Sequence, residues 1–365
     1  ISRQRHWGLP IPVFYCEECG KPVCTPETIE VVAQLFAEHG SNVWYEKVAA
    51  EILPEGFACP HCGGKTFTKE TDTLDGWFDS GSTHAGVLDQ FEGLAFPADI
   101  YLEGGDQYRG WFQSSMLTSV AVKGVPPYRQ IITHGWTVDG EGRAMHKSLG
   151  NVVAPEEIIK DYGADILRLW VASTDYRNDM RMSKDILKQL SDIYLKIRNT
   201  ARYILGNLSG FDPNTALPFS EMEELDKWAV SEFNKLVAKV RDAYERYEYH
   251  IIYHGVHNFC AVEMSSFYLD VIKDRLYCDA EDSRSRRSAQ SAIFLILDGL
   301  VRLLAPILAF TAEEIWAAMP HRAGDDPESV LFNDMPDFNP EYVLPAERQA
   351  KWDKLLALRD DVNKA

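Results

Sequence analysis

The chain is 365 residues long, 45% hydrophobic and 25% charged, an ordinary globular composition that excludes intrinsic disorder, a collagen-like repeat and a disulfide-stapled miniprotein. At about 100 to 200 residues per domain, its length corresponds to two or three domains. The 37 Lys and Arg against 55 Asp and Glu give a formal net charge of −18, which argues against coating nucleic acid by bulk electrostatics and leaves only a local basic groove open.

Ile1 is not a methionine and the opening residues run straight into a motif, without a signal peptide, so the chain reads as starting inside a longer protein. From Ile1 to about Asp165 short β-rich runs, Gly turns and aromatic motifs alternate, the texture of an α/β domain with insertions. Cys16-x-x-Cys19 and Cys59-x-x-Cys62 are each followed by glycine, Gly20 and Gly63. Four thiolates at this spacing suit one tetrahedral zinc, and four protein ligands leave no open position, so the metal would be structural. Glycine after each pair permits the tight turn that aims both sulfurs at the metal. The competing reading is a set of buried, metal-free thiols, and Cys24 and His61 are spare ligand candidates. Between the pairs, Pro26 to His39 reads as an inserted helix. Cys260 and Cys278 fall in helical stretches and read as core. Seven cysteines with two CxxC pairs point to a reducing compartment, hence a cytoplasmic location.

Asp99 to Leu102 is strand-like and runs into Glu103, Gly104 and Gly105, after which a helical pattern extends from about Asp106 to Val122. Strand, glycine turn, helix places ligands at the carboxyl end of a parallel strand, and Glu103 can accept from a ribose hydroxyl or an amine. A second strand, Arg129 to Thr133, ends at His134, Gly135 and Trp136. Beyond it a mobile, glycine-bounded loop carries Met145, His146, Lys147, Ser148, Leu149, Gly150 and Asn151, with Lys147 as the cation a triphosphate requires.

From about Arg181 to Met319 nearly everything has a helical period, as in Ile186, Leu190, Ile193 and Ile197, then Trp228, Phe233, Leu236, Val237 and Val240. Gly206 to Pro218 is a loop by composition. Arg181, Lys184, Lys188, Lys196, Arg198 and Arg202 form a locally basic stretch that is either a solvated face or a phosphate-contact surface. The longest apolar run, Ala292 to Phe310, is interrupted by Asp298, Arg302 and Pro306 and reads as buried helix, with no membrane span anywhere. Thr311 with Glu314 three residues on is a capping-box pattern that opens a last clear helix ending at Pro320. A short helix begins at about Ala346.

The runs Ile1-Ser-Arg-Gln-Arg-His-Trp-Gly8, Trp77-Phe-Asp-Ser-Gly-Ser82, Glu103-Gly-Gly-Asp-Gln-Tyr-Arg-Gly-Trp-Phe112 and Met145-His-Lys-Ser-Leu-Gly-Asn151 resemble class I aminoacyl-tRNA synthetases, most closely the isoleucyl-tRNA synthetase family. The resemblance covers the whole chain. It implies an α/β part followed by an all-α part: the second half of a Rossmann-like nucleotide fold over 1–165 with a zinc-ribbon insertion at about 11–70, connecting helices over 166–205, a helical anticodon-binding bundle over 206–320 and a truncated extension over 321–365. It also implies isoleucine, ATP with Mg, and tRNA(Ile) as partners of a monomeric enzyme that makes isoleucyl-adenylate and transfers the acyl group to tRNA. By the same resemblance Glu103, Gly104, Asp106, Gln107, His134, Gly135, Met145, Lys147 and Ser148 surround ATP and adenylate, and Lys147 neutralises the departing pyrophosphate. Trp77 and Trp111 wall the aliphatic pocket, and the basic stretch from Arg181 to Arg202 meets tRNA. Structural alternatives stand beside these roles: the two indoles as core, Asp79 as a turn cap, His134 as a satisfied strand-end histidine.

The chain departs from the family in three ways. Its loop reads Ala144-Met-His-Lys-Ser148 where the family has Lys-Met-Ser-Lys-Ser, and neither a His-Ile-Gly-His motif nor the editing insertion occurs in the 365 residues. These departures imply a C-terminal part that is inactive alone. The alternative they leave open is a non-catalytic tRNA-binding or assembly module.

Overall fold

The computed structural model describes residues 2–5 and 8–364, in two compact units, Ile1–His134 and Gly135–Ala365. The sequence places residues 135–165 with the nucleotide fold; by packing they fall in the second unit.

In the first unit, backbone hydrogen bonding is spent in short, separate ladders. Ser2–Arg3 pairs antiparallel with Thr73–Leu74. Pro22–Val23, Phe14–Cys16 and Phe67–Lys69 form an antiparallel sheet with Phe14–Cys16 in the middle. The inserted helix spans Pro26–His39, as its pattern predicts. Thr25 caps it: its hydroxyl accepts from the Thr28 amide at 3.3 Å while the Thr28 hydroxyl accepts from the Thr25 amide at 2.9 Å, closing two otherwise orphaned donors. Pro26 sits at the first helical position and Gly40, at φ 78°, ends the helix. Phe14, Val23, Val32, Trp44, Ile52 and Leu53 pack with Cys16 and Cys59 into a small local core.

Ala98–Gly104 and Tyr128–His134 pair in parallel, in register from Ala98↔Tyr128 to Gly104↔His134, so both strands end at the same level. Their connection is not one helix. A 3-10 turn, Gly105–Arg109, gives way at Gly110 to the α-helix Trp111–Lys123. The break has a side-chain cause: Gln107 Oε1 accepts from the Trp111 amide at 3.0 Å, and a Cβ on Gly110 would lie 2.5 Å from that oxygen. The preceding short helix, Gly76–Gly81, is capped by Asp75, whose carboxylate accepts from the Trp77 amide at 2.8 Å. Asp75 thus caps the start of this helix, four residues before Asp79, the residue the sequence offered as a cap for the turn into Ser80 and Gly81.

In the second unit Thr137–Val138 pairs in parallel with Met180–Arg181, and the rest is helical. Helices Ala164–Ser173, Lys184–Asn207, Glu224–Glu245, Tyr249–Asn258, Arg284–Leu304 and Ala309–Ala318 surround one continuous apolar core. Buried Asp226 in that core accepts from Tyr268 Oη at 2.7 Å and from the Arg275 guanidinium at 3.0 and 2.6 Å, so its charge is matched. The apolar run at 292–310 is two helices separated by a turn at Ala305–Leu308, where Pro306 has no amide to donate. The expected capping box at Thr311 is absent. The helix starts at Ala309, and its cap comes from Asp165, which accepts from the Phe310 amide at 3.3 Å, the Thr311 amide at 2.7 Å and the Thr311 hydroxyl at 2.5 Å. The last helix, Ala346–Lys364, is 19 residues and not short.

Candidate functional site

Cys16, Cys19, Cys59 and Cys62 come together with their sulfurs all within 4.8 Å. Each pair sits in a hairpin knuckle. The Gly20 amide donates to Cys16 O and the Gly63 amide to Cys59 O, both at 2.8 Å, and both glycines have positive φ, 68° and 81°. The Cys59 and Cys62 sulfurs further accept from the His61 and Gly64 amides at 3.4 Å, bonds that favour thiolate. This donor set can hold a metal ion. Cys24 and His61 stand outside the cluster.

The strand ends gather three of the expected residues. A Cβ on Gly104 would lie 2.6 Å from Asp106 Oδ1 and 3.7 Å from His134 Cε1, so Asp106 folds back over the strand end into the space a glycine leaves, beside His134. Glu103 is solvent-exposed. Gln107 is spent on its own helix start, as described, and its amide donates to Asp106 at 3.1 Å. Trp111 stacks on Tyr101 with centroids 4.2 Å apart and planes at 4°, and its Nε1 donates to Ser80 O at 2.9 Å. Trp77 is 47% exposed, with its ring edge 3.4 Å from where a Gly110 Cβ would stand. The two indoles thus converge on the contact between Gly76–Gly81 and the start of the helix at Trp111, one held rigidly and one open. Asp79 lines an open cleft of about 760 Å³ with Asn42, Tyr45, Phe78, Ser82 and Thr83, and partial burial with the nearby Asp75 carboxylate raises its pKa.

Gly135, Met145, Lys147 and Ser148 lie in the second unit. The loop they share opens from a tight turn in which the Asp139 amide donates to Arg143 O and the Gly142 amide to Asp139 O, both at 2.9 Å. Val138 bridges to Ala144. Met145 is partly buried against the helical core. Lys147–Leu149 forms one 3-10 turn, closed by Gly150 at φ 63°, and Lys147 makes no ion pair or side-chain hydrogen bond among the described residues. Arg143 is committed to Asp139 at 2.9 Å and Glu141 at 3.2 Å. The loop is therefore hydrogen-bonded at its base. Asp139 was not singled out from the sequence. Its signal was the Asp-Gly-Glu-Gly turn at 139–142.

Arg181, Lys184, Lys188, Lys196, Arg198 and Arg202 are all exposed. At about 100° per residue, Lys184, Lys188, Arg198 and Arg202 share one face of Lys184–Asn207 and Lys196 stands off it. Arg198 pairs with Glu314 at 3.2 Å.

Residues 1–183 match the model of the class I tRNA synthetases (I, L, M and V), and residues 226–365 that of the anticodon-binding domain of tRNA ligases. Isoleucine–tRNA ligases of Syntrophotalea carbinolica and Caldanaerobacter subterraneus are 57% and 55% identical over all of this chain, which spans 39% of the length of each. Among solved structures, a LeuRS of Agrobacterium radiobacter in ternary complex with tRNA and LeuAMS superposes with a TM-score of 0.67 at 22% identity, covering 94% of this chain and 42% of that one. A Mycobacterium tuberculosis methionyl-tRNA synthetase with methionyl-adenylate gives 0.57 at 16%, covering 84% and 71%. With a catalytic-type α/β part whose strand ends gather Gly104, Asp106 and His134, and a helical part that matches the anticodon-binding model, the chain belongs to the class I tRNA synthetases of the isoleucine, leucine, methionine and valine group.

Proposed function

We propose that this chain is part of an isoleucine–tRNA ligase that joins isoleucine to ATP as isoleucyl-adenylate and transfers the acyl group to tRNA(Ile). The observation that carries the reading is the 57% identity to isoleucine–tRNA ligases along the full chain. In this reading Gly104, Asp106, Gln107 and His134, with Glu103, face the adenylate, and Trp77 and Trp111 form a rigid apolar slot suited to a branched aliphatic side chain. Isoleucine's carboxylate oxygen attacks the α-phosphate, and Lys147, left without an ion-pair partner, meets the charge that develops on pyrophosphate. Gly135, Met145 and Ser148 complete the contacts to ATP and the adenylate in this reading. ATP arrives with Mg, for which no residue of this chain is assigned. The face of Lys184, Lys188, Arg198 and Arg202, flanked by Arg181 and Lys196, contacts the tRNA backbone. We place the protein in the cytoplasm as a monomer; among the described residues no helix is long and apolar enough to cross a membrane.

The cysteine cluster holds a structural zinc. Tetrahedral Zn–S bonds of about 2.3 Å require sulfurs about 3.8 Å apart, and Cys16–Cys62 and Cys19–Cys59 stand at 3.6 and 3.8 Å.

Isoleucine-dependent exchange of pyrophosphate into ATP tests the reading. The full-length protein should exchange with isoleucine well above valine, and the isolated 365-residue chain should stay at background. A full-length protein that binds tRNA without exchange would instead be a non-catalytic RNA-binding or assembly module, the outcome favoured by the altered loop at Ala144 and His146.

A further inference from the structure

The base of the Lys147 loop is closed by two side chains whose polar atoms are used repeatedly. Asn151 Nδ2 donates to Asp139 Oδ2 at 2.9 Å and to Ala144 O at 3.1 Å, while Asn151 Oδ1 accepts from the His146 amide at 2.9 Å. Asp139 is 8% exposed. Its Oδ1 accepts from the Glu141 and Arg143 amides at 3.0 and 2.9 Å, and its Oδ2 from Arg143 Nε at 2.9 Å. One amide side chain thus ties together the start of the loop at Ala144, its third residue His146 and the turn beneath it.

Two consequences follow for the cation. The His146 amide, one residue before Lys147, is held by Asn151. The His146 and Lys147 carbonyls accept in turn from the Leu149 and Gly150 amides at 3.0 and 3.2 Å. The backbone on both sides of Lys147 is thereby determined. The same carboxylate neutralises Arg143, so the clasp occupies one cation of the loop and leaves the other unpaired. Donors from Asn151 and Arg143 keep Asp139 ionised, holding its pKa well below the ordinary carboxylate range.

We propose that Asp139 and Asn151 are positioning residues for adenylate formation, acting through Lys147 by clamping the base of its loop. This rests on the functional reading above. Both chemistry and position matter here: a side chain of aspartate at 151 would set two carboxylates against each other, and asparagine at 139 would set two amides against each other.

The test is a double-mutant cycle in the full-length protein, read as the single-turnover rate of isoleucyl-adenylate formation with isoleucine affinity measured alongside. Lys147→Ala should slow the step by about 100-fold or more, as for loss of a preorganised charge-stabilising donor. Asn151→Ala should slow it about tenfold or more with isoleucine affinity changed less than about twofold, the signature of a contact realised in the transition state. In the Lys147→Ala background, Asn151→Ala should add less than about threefold, because residues acting as one unit are not additive. Asp139→Ala, which removes the acceptor of Asn151 Nδ2 and Arg143 Nε, should likewise slow the step about tenfold or more and add less than about threefold in the Lys147→Ala background. Multiplicative effects of Asn151→Ala and Lys147→Ala would overturn the inference, since a merely structural residue would add its loss in both backgrounds. An Asn151→Ala protein as fast as the unmutated one would overturn it while leaving the functional reading intact. Absence of isoleucine-dependent exchange in the unmutated protein would overturn both.

Discussion

The two units solve the burial problem differently. In Gly135–Ala365 a single apolar cluster passes through every long helix from Ala164 to Ala318, and the buried carboxylates on those helices, Asp165, Asp226 and Asp298, each accept from more than one donor. In Ile1–His134 the parallel strand pair is enclosed on the side where Tyr101, 4% exposed, meets Phe112, 2% exposed, but Leu102 is 56% exposed, and Leu117 and Val122 on the following helix are 62% and 76% exposed. Parallel strands are ordinarily covered on both faces, and within its own unit this pair is covered on one. What organises the first unit is instead a small core around Phe14 and Trp44 together with local devices, namely the cysteine knuckles, the Thr25 cap, the Asp75 cap and the Trp111 stack. A region ordered by point contacts should respond to the loss of one contact far more sharply than a region ordered by a continuous core.

Metal removal is the largest expected perturbation, because structural zinc contributes apparent binding energies of about 10 to 16 kcal/mol in small domains. Metal analysis should give about one zinc per chain, and chelation or Cys59→Ser should expose residues 11–70 to protease while leaving the helical unit intact. A metal-free protein that keeps this segment resistant would break the contrast.

Next in size is Asp165→Ala, which removes a buried acceptor from three donors. Charged hydrogen bonds of this kind contribute about 1.5 to 3 kcal/mol each, and unpaired buried donors add a desolvation cost, so the helical unit should lose roughly 3 kcal/mol and melt several degrees lower. Calorimetry should show the first unit's transition unmoved.

The smallest effect is a pH dependence of the first unit. His84 is 1% exposed, its Nδ1 is buried without a partner and its Nε2 lies 3.1 Å from Thr118 Oγ1. Burial, reinforced by Lys123, lowers its pKa from the ordinary 6.5. A depressed histidine favours the fold above the unfolded-state value and withdraws that contribution as the pH falls toward the folded one. Stability of the first unit should therefore decline below about pH 6.5, and His84→Leu should flatten the decline. An unchanged slope would place the sensitivity elsewhere.

Features carried by nearest neighbours in sequence were legible in advance. The Pro26–His39 helix announces itself through Thr25, Pro26, its period and Gly40, and the cysteine knuckles through CxxCG spacing. What escaped was set by side chains reaching back. Gln107 cuts a helix that periodicity drew as continuous, and the helix start at Gly76 is capped by Asp75, a residue not singled out from the sequence. Asp165 replaces a local capping box at Thr311 that had the right letters in the wrong place. Within the candidate site, Lys147 was found through its motif, whereas the clasp joins Asp139 to Asn151 by side-chain bonds across a turn and a loop, which no periodic pattern encodes.

The cap supplied by Asp165 also sets an order of events during folding. The helix Ala309–Ala318 has no local residue to satisfy its first amides, and Asp165 lies 146 residues earlier in the chain. As the chain emerges from the ribosome, that carboxylate is made long before its helix, and the helix end stays frayed until the intervening helices have collapsed enough to bring the two together. Closing so long a loop costs entropy before any contact repays it. Completion of the Asp165 cap is therefore a late step that reports assembly of the bundle as a whole, and a probe near Phe310 should register folding after one placed in the Lys184–Asn207 helix.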